Sequence, residues 1–228
     1  MSGERDPSTL WLRRCADHPA LPRARQGGGD VILLGVAAAF LVGSIPFGIV
    51  VGRGFFGIDL RAQGSGNIGA ANAFRALPKW AAALVLVGDA LKGYVPTALA
   101  LHFGAGPWGS VAIALAAILG HNYSLFLRGR GGKGVATGLG ALIALSWLAA
   151  LGCIGVWVVA VLLTGYASLG SLLLNLAQPL ALWIVTREPA FAAFGSVAFV
   201  LALWRHRENV DRLLHGRENA LFKRHTAH

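Results

Sequence analysis

Four short stretches of this chain set chemistry-bearing side chains among glycines or hydroxyls. The first, "RAQGSGNIGAANAFR" (61–75), places Ser65 and Asn67 between Gly64, Gly66 and Gly69 and ends on Arg75. The second, "LRGRGGKGVATG" (127–138), carries Lys133 beside Gly131, Gly132 and Gly134. The third, "TGYASLGSLLLN" (164–175), offers Ser168 and Ser171, and the fourth, "WRHRENVDRLL" (204–214), offers His206 and Asn209. Cationic and hydroxyl side chains, on a backbone that glycine lets approach closely, are the means of holding an oxyanion such as a phosphate.

Two familiar phosphate motifs fail on context. Gly64, Gly66 and Gly69 spell G-x-G-x-x-G, and Asp89 follows twenty residues later, the outline of a dinucleotide turn with its ribose acid. That fingerprint needs a strand before it and a helix after it. Here it follows the apolar run "VILLGVAAAFLVGSIPFGIVVG", and Asp89 lies inside another, "WAAALVLVGDALKGYVPTALALHF". Asp89 and Lys92, three apart, are expected to pair on one helical face within a bundle. "GRGGKG" fails as a P-loop because Leu127 stands where its first glycine belongs and Gly134 where Ser or Thr belongs. Cys15 and Cys153 give neither a disulfide framework nor a metal spacing. No cofactor and no metal are therefore expected.

The elements that must position these loops follow from composition. Charged residues make up 13% of the 228-residue chain and hydrophobic ones 55%, with a mean hydropathy of +0.60. Soluble domains carry about a quarter of their residues as charged types, so most of this surface must face lipid. Apolar runs bounded by Gly, Pro or charge fall at 31–52, 80–103, 108–127, 135–151, 152–166, 170–186 and 190–204. A straight span takes about 20 residues, so the fourth, fifth and seventh are short, and the fourth and fifth read as two helices or one long tilted one. Charge decides between these. With seven spans, Arg53, Arg61, Arg75, Lys79, Arg128, Arg130, Lys133 and the basic residues from Arg205 to Arg224 share one side, while the short connections opposite hold only Arg187. Lys and Arg gather on the cytoplasmic side, and merging two spans would scatter them.

The expected fold is an all-α polytopic membrane protein, about seven transmembrane helices over 31–204, with active-site loops on the cytoplasmic face. Residues 205–228 form a cytoplasmic carboxy-terminal segment that completes the site. Residues 1–30, rich in turn formers and mixed in charge, are expected to be a disordered extension. The formal charge of +10 fits a basic membrane face, whereas nucleic-acid binding lacks interleaved aromatics and a domain outside the membrane.

Together the segments resemble the bacterial integral-membrane acyl-phosphate:glycerol-3-phosphate acyltransferases. The matching pieces are "GSIPFGIVVGR" (43–53), "GSGNIGAANAFR" (64–75) with "DALKG" (89–93), "GHNYSLFLRGRGGKGVATGLG" (120–140), "GYASLGS" (165–171) and "RHREN" (205–209), in unbroken order from about 31 to 220. Ala71, where Thr is commoner, and the amino-terminal extension are the departures. The resemblance implies seven membrane helices in the bacterial plasma membrane. It also implies transfer of a fatty acyl group from acyl phosphate to the 1-hydroxyl of sn-glycerol 3-phosphate, the first step of phospholipid synthesis. The family's contacts to phosphate and glycerol carry over to Ser65, Arg75, Lys133, Ser171, His206 and Asn209, with Ser168 within one turn of Ser171.

The residue types suit that chemistry. An acyl phosphate is already activated, so alignment and charge stabilisation suffice without a covalent intermediate. Asn67 adds a side-chain donor, and backbone N–H groups near Gly64–Gly69 or Gly131–Gly134 are candidates for the oxyanion pocket. The proton acceptor is either His206 or a substrate phosphate. His206 and Asp211 also spell H-x-x-x-x-D, but residues five apart on a helix diverge by about 140°, whereas His206 and Asn209 share a face. The acyl chain is expected to enter from the membrane between helices near Gly48 and Gly52. A transporter for a small anionic solute is the alternative, raised by Asp89 and Lys92 inside a span.

Overall fold

The computed structural model describes residues 28–221, and among these it is helical with no strand. The expected disorder of 1–30 falls almost wholly outside the described residues, although Gly28–Asp30 already belong to a helix. That helix, α1 (Gly28–Gly43), continues into α2 (Phe47–Phe56) as one apolar stretch, Gly29–Phe56, broken at Ser44–Pro46. Proline removes a donor and ends the ladder, and carbonyls left bare in lipid cost several kcal/mol each. Two carbonyls at the break take side-chain donors: Ser124 Oγ donates to Ser44 O at 2.5 Å and Lys92 Nζ to Ile45 O at 2.8 Å. Lys92 also meets Asp89 Oδ1 at 2.7 Å, both side chains buried, which is the pairing that the sequence predicts.

After a 3-10 turn at Leu60–Ala62 come α3 (Ala70–Ala76), α4 (Lys79–His102) and α5 (Gly106–Asn122). A second 3-10 turn, Leu125–Leu127, leads to α6 (Val135–Leu145), α7 (Trp147–Thr164), α8 (Ala167–Thr186), α9 (Pro189–Arg205) and α10 (Arg207–Leu214). Leu84, Val87, Leu91, Val95 and Leu99 form an exposed stripe on α4, and Leu162 and Leu163 are more than 70% exposed on α7. These are lipid-facing surfaces, as the composition requires. A core of Ile118, Leu142, Cys153, Leu174, Leu182 and Phe194 joins α5 to α9.

Small residues set the closest crossings. A Cβ on Gly93 of α4 would lie 1.9 Å from Thr137 O of α6, and one on Gly140 would lie 1.9 Å from Ala90 O. Helices in lipid associate through such close backbone approach. The crossing fixes α6, and with it the loop carrying Lys133, against α4.

The span count differs from expectation in one place. Among the described residues, five helical stretches are long and apolar enough to cross a membrane, or six if α9 and α10, bent by 63° between them, are taken as one span. The expected fourth span, 135–151, is only the eleven residues of α6, about 16 Å long, roughly half a bilayer core. The break falls at Ser146, whose hydroxyl caps α7 by accepting from Ala149 N at 3.3 Å. Gly152, where the sequence places the break, lies inside α7 in open space. The expected acyl portal also fails. A Cβ on Gly48 would lie 1.9 Å from Ile68 O, and one on Gly52 would lie 2.7 Å from Ile58 O. Those glycines press α2 onto the 58–68 loop, so the space beside them is filled by backbone.

Candidate active site

Asn72 builds the first loop. It is buried on α3; its Nδ2 donates to Leu60 O, Gln63 O and Asn67 O at 2.8 to 3.0 Å, and its Oδ1 accepts from Ser65 N at 3.0 Å. Gly64 passes so close to this side chain that a Cβ would lie 2.4 Å from Asn72 Oδ1, and its φ of +52° already favours glycine. The clasp presents half-buried Ser65, whose hydroxyl has no partner among the described residues. Asn67 spends its Oδ1 on Gly69 N at 2.8 Å, so only its Nδ2 remains for a ligand.

The second loop is held on both edges. Gly131 N donates to Asn122 O at 3.2 Å and Gly132 N to His121 O at 3.0 Å, using carbonyls that the end of α5 leaves bare. Arg205 donates from Nε to Gly132 O and from Nη2 to Gly131 O, both at 2.9 Å. These two N–H groups are therefore committed and cannot form an oxyanion pocket. The free donors are instead those of the first turn of α6, Val135 to Thr137, which have no carbonyl four residues back within the helix. Together with the helix dipole they favour an anion at this end. Lys133 stands just before that turn.

The fourth segment meets the second there. Lys133 Nζ donates to Asn209 Oδ1. Asn209 Nδ2 in turn donates to Glu218 Oε1 at 2.8 Å, and Arg212 Nε donates to Glu218 Oε2 at 2.9 Å. The Glu218 side chain is only 3% exposed. Arg75 reaches the same tail, from Nη2 to Asn219 O at 3.1 Å and Nε to Ala220 O at 3.4 Å, and Leu221 N donates to Gly165 O at 2.8 Å. All four segments thus converge at one end of the bundle.

Burial, and then the charge of Arg212, lowers the Lys133 ammonium to a pKa of about 8. His206 sits buried at the break between α9 and α10. Its Nδ1 lies 2.8 Å from Ala202 O, which can only accept, so Nδ1 carries the proton and Nε2 keeps a lone pair. Burial, reinforced by Lys133, pushes its pKa down to about 4, leaving the ring neutral near pH 7. On α8, Ser171 Oγ donates to Ala167 O at 2.7 Å, while Ser168 Oγ is buried without a hydrogen-bond partner among the described residues. Either hydroxyl can turn to a ligand, Ser171 by exchanging one hydrogen bond for another.

Sequence reasoning missed Asn72, Glu218 and the clamp role of Arg205. Asn72 left a trace as a polar residue on the otherwise apolar first turns of a short helix that ends near Arg75. Arg205 reads in sequence only as one more cytoplasmic cation, and Glu218 lies far beyond the motif it completes.

Residues 33–216 match the family model of glycerol-3-phosphate acyltransferase. The glycerol-3-phosphate acyltransferase of Rubrobacter xylanophilus is 46% identical over 188 residues, covering 82% of this chain and 92% of its own length. That of Geobacter sulfurreducens is 45% identical over 188 residues, covering 82% and 96%. The crystal structure of PlsY, an integral membrane glycerol 3-phosphate acyltransferase, in its glycerol 3-phosphate form has a TM-score of 0.80 to this chain. It is 41% identical and covers 83% of this chain and 95% of that one. The lysophosphatidic acid form gives 0.78 at 40% identity, with the same coverage. The matched region takes in all four loop segments, and the chain belongs to the glycerol-3-phosphate acyltransferase family.

Proposed function

We propose that this protein transfers a fatty acyl group from acyl phosphate to the 1-hydroxyl of sn-glycerol 3-phosphate, giving lysophosphatidate and inorganic phosphate. The single observation that carries this reading is the convergence of Lys133, Asn209 and His206 with the dipole-bearing start of α6 at one end of a lipid-facing bundle. Relatives named glycerol-3-phosphate acyltransferase share 46% and 45% identity with it. The concentration of Lys and Arg at this end supports a cytoplasmic site in the plasma membrane.

In the reaction the glycerol hydroxyl oxygen attacks the acyl carbonyl carbon, the bond from that carbon to the phosphate oxygen breaks, and the hydroxyl proton passes to a phosphate oxygen. Lys133 and the α6 first turn offset charge on the carbonyl oxygen and the departing phosphate. Ser65 and Arg75, with Ser171, supply further donors to the two phosphates. His206 Nε2 accepts the hydroxyl hydrogen bond and orients it. Its pKa of about 4 makes it a weaker base than a phosphate dianion, whose second pKa is about 6. An apolar groove of about 530 Å³ along Val159, Ala160, Leu163 and Leu173 reaches Thr164, just before the first turns of α8 that bear Ser168 and Ser171, and suits the acyl tail. Asp89 and Lys92, the charges behind a transport reading, are both engaged in holding helices together.

Purified protein in lipid is incubated with labelled glycerol 3-phosphate and, separately, acyl phosphate, acyl-coenzyme A and acyl-carrier protein. Lysophosphatidate is expected with acyl phosphate alone. Product from a thioester instead would overturn the donor, and no covalent product at all would overturn the enzyme reading.

A further inference from the structure

We infer that Arg205, backed by a buried Asp89–His121 pair, is the positioning residue of the Lys133 loop, fixing Gly131 and Gly132 so that Lys133 and the first turn of α6 face the substrate. This rests on the reading that the loop holds a substrate phosphate. The two glycines have every backbone polar group engaged: both N–H groups on α5 carbonyls and both C=O groups on Arg205. Nothing in this dipeptide is left to touch a ligand, so its contribution is shape. A run with so many glycines has a large conformational freedom to lose on ordering, and the clamp restricts it in advance.

Arginine is suited to this in a way lysine is not. Its planar fork spans two successive carbonyls at once, whereas an ammonium is a single point. The guanidinium also lies 5.5 Å over the Tyr123 ring, which fixes its plane from the α5 side. Beneath the loop, a Cβ on Gly132 would lie 2.0 Å from His121 Nε2, so the imidazole forms the floor. His121 Nδ1 faces Asp89 Oδ1 at 3.5 Å, and Lys92 holds that carboxylate at 2.7 Å. Helix α4 therefore sets the height of the loop through His121, and α9 sets its lateral position through Arg205.

The test compares Arg205→Gln, Arg205→Lys and His121→Gln with wild type in lipid discs, by amide exchange of the 127–138 segment and by steady-state kinetics. Arg205→Gln is expected to speed exchange in that segment at least tenfold, to leave α7 and α8 unchanged, and to lower kcat/KM about a hundredfold, the scale of a 1 Å misplacement. Arg205→Lys keeps the charge that faces Lys133, so its pH profile should stay in place while most of the rate loss remains. His121→Gln should loosen the same segment from below. Unchanged exchange in Arg205→Gln would overturn the proposal, as would loss of protection throughout the bundle in Arg205→Lys. Faster local exchange with undiminished turnover would leave the clamp standing and refute the phosphate-holding role of the loop instead.

Discussion

The ammonium of Lys133 provides the sharpest test of the site. Its pKa, lowered from the usual lysine value of 10.5 to about 8, reflects burial first and then repulsion by Arg212, with Glu218 and Glu208 opposing the shift. Only the charged form can hold a phosphate. The free enzyme should therefore lose kcat/KM about tenfold per pH unit above about pH 8, while the substrate phosphate, already a dianion there, contributes no further change. The same shift couples to stability. The folded value lies below the unfolded one, so a buried charge opposes folding below about pH 8, and stability rises between about 8 and 10.5 as the ammonium deprotonates. Activity and stability should thus move in opposite directions across that window. Lys133→Arg removes the titration because arginine does not deprotonate in this range, so its alkaline limb should disappear whatever its absolute rate. Lys133→Ala should lower kcat/KM about 10²- to 10³-fold, the loss of one charged donor from a preorganised site. The assay is product formation from labelled glycerol 3-phosphate between about pH 6 and pH 10, corrected for spontaneous acyl phosphate hydrolysis. An alkaline limb that persists unchanged in Lys133→Arg would refute the assignment.

Two further outcomes follow from the same geometry. His206→Asn keeps a donor for Ala202 O but loses the Nε2 lone pair; activity within about tenfold of wild type is expected for a ligand, against a loss of 10² or more for a general base. Glu218→Gln removes a carboxylate that supports the Lys133 charge, so the alkaline limb should move to lower pH. The accompanying loss of charge-assisted bonds to Asn209 and Arg212, read by thermal unfolding, is worth about 1–3 kcal/mol.

What was legible in the sequence was the part governed by composition and local periodicity. Apolar runs gave the helices, the Lys and Arg count placed four loops together, and Asp89 with Lys92 read correctly as a pair because three residues make a helical neighbour. What was not legible depended on contacts between distant segments. Gly48 and Gly52 look the same in sequence whether they open a portal or admit a backbone, and only the position of Ile68 and Ile58 decides. Gly131 and Gly132 likewise read as anion-binding N–H groups until His121 and Asn122 are seen to take them. The break at Ser146 had a local signal, a serine cap, but it competed with Gly152, a stronger breaker on paper that lipid-exposed helix accommodates.

Charge around the cradle also limits how two substrates can sit in it. Arg75, Lys133, Arg205 and Arg212 contribute positive charge, and Glu208 and Glu218 remove part of it, leaving a net charge near that needed to balance one phosphate dianion. Two dianions on the same cations would repel strongly in a site this buried. The cations are held by different partners. Arg75 is held by the Asn219 and Ala220 carbonyls beside the Ser65 loop, whereas Lys133 is held by Asn209 at the start of α6. On the proposed reading, a donor phosphate at one and an acceptor phosphate at the other would keep the anions apart. Alignment of two charged substrates, with no covalent step, is then the natural work of the four loops.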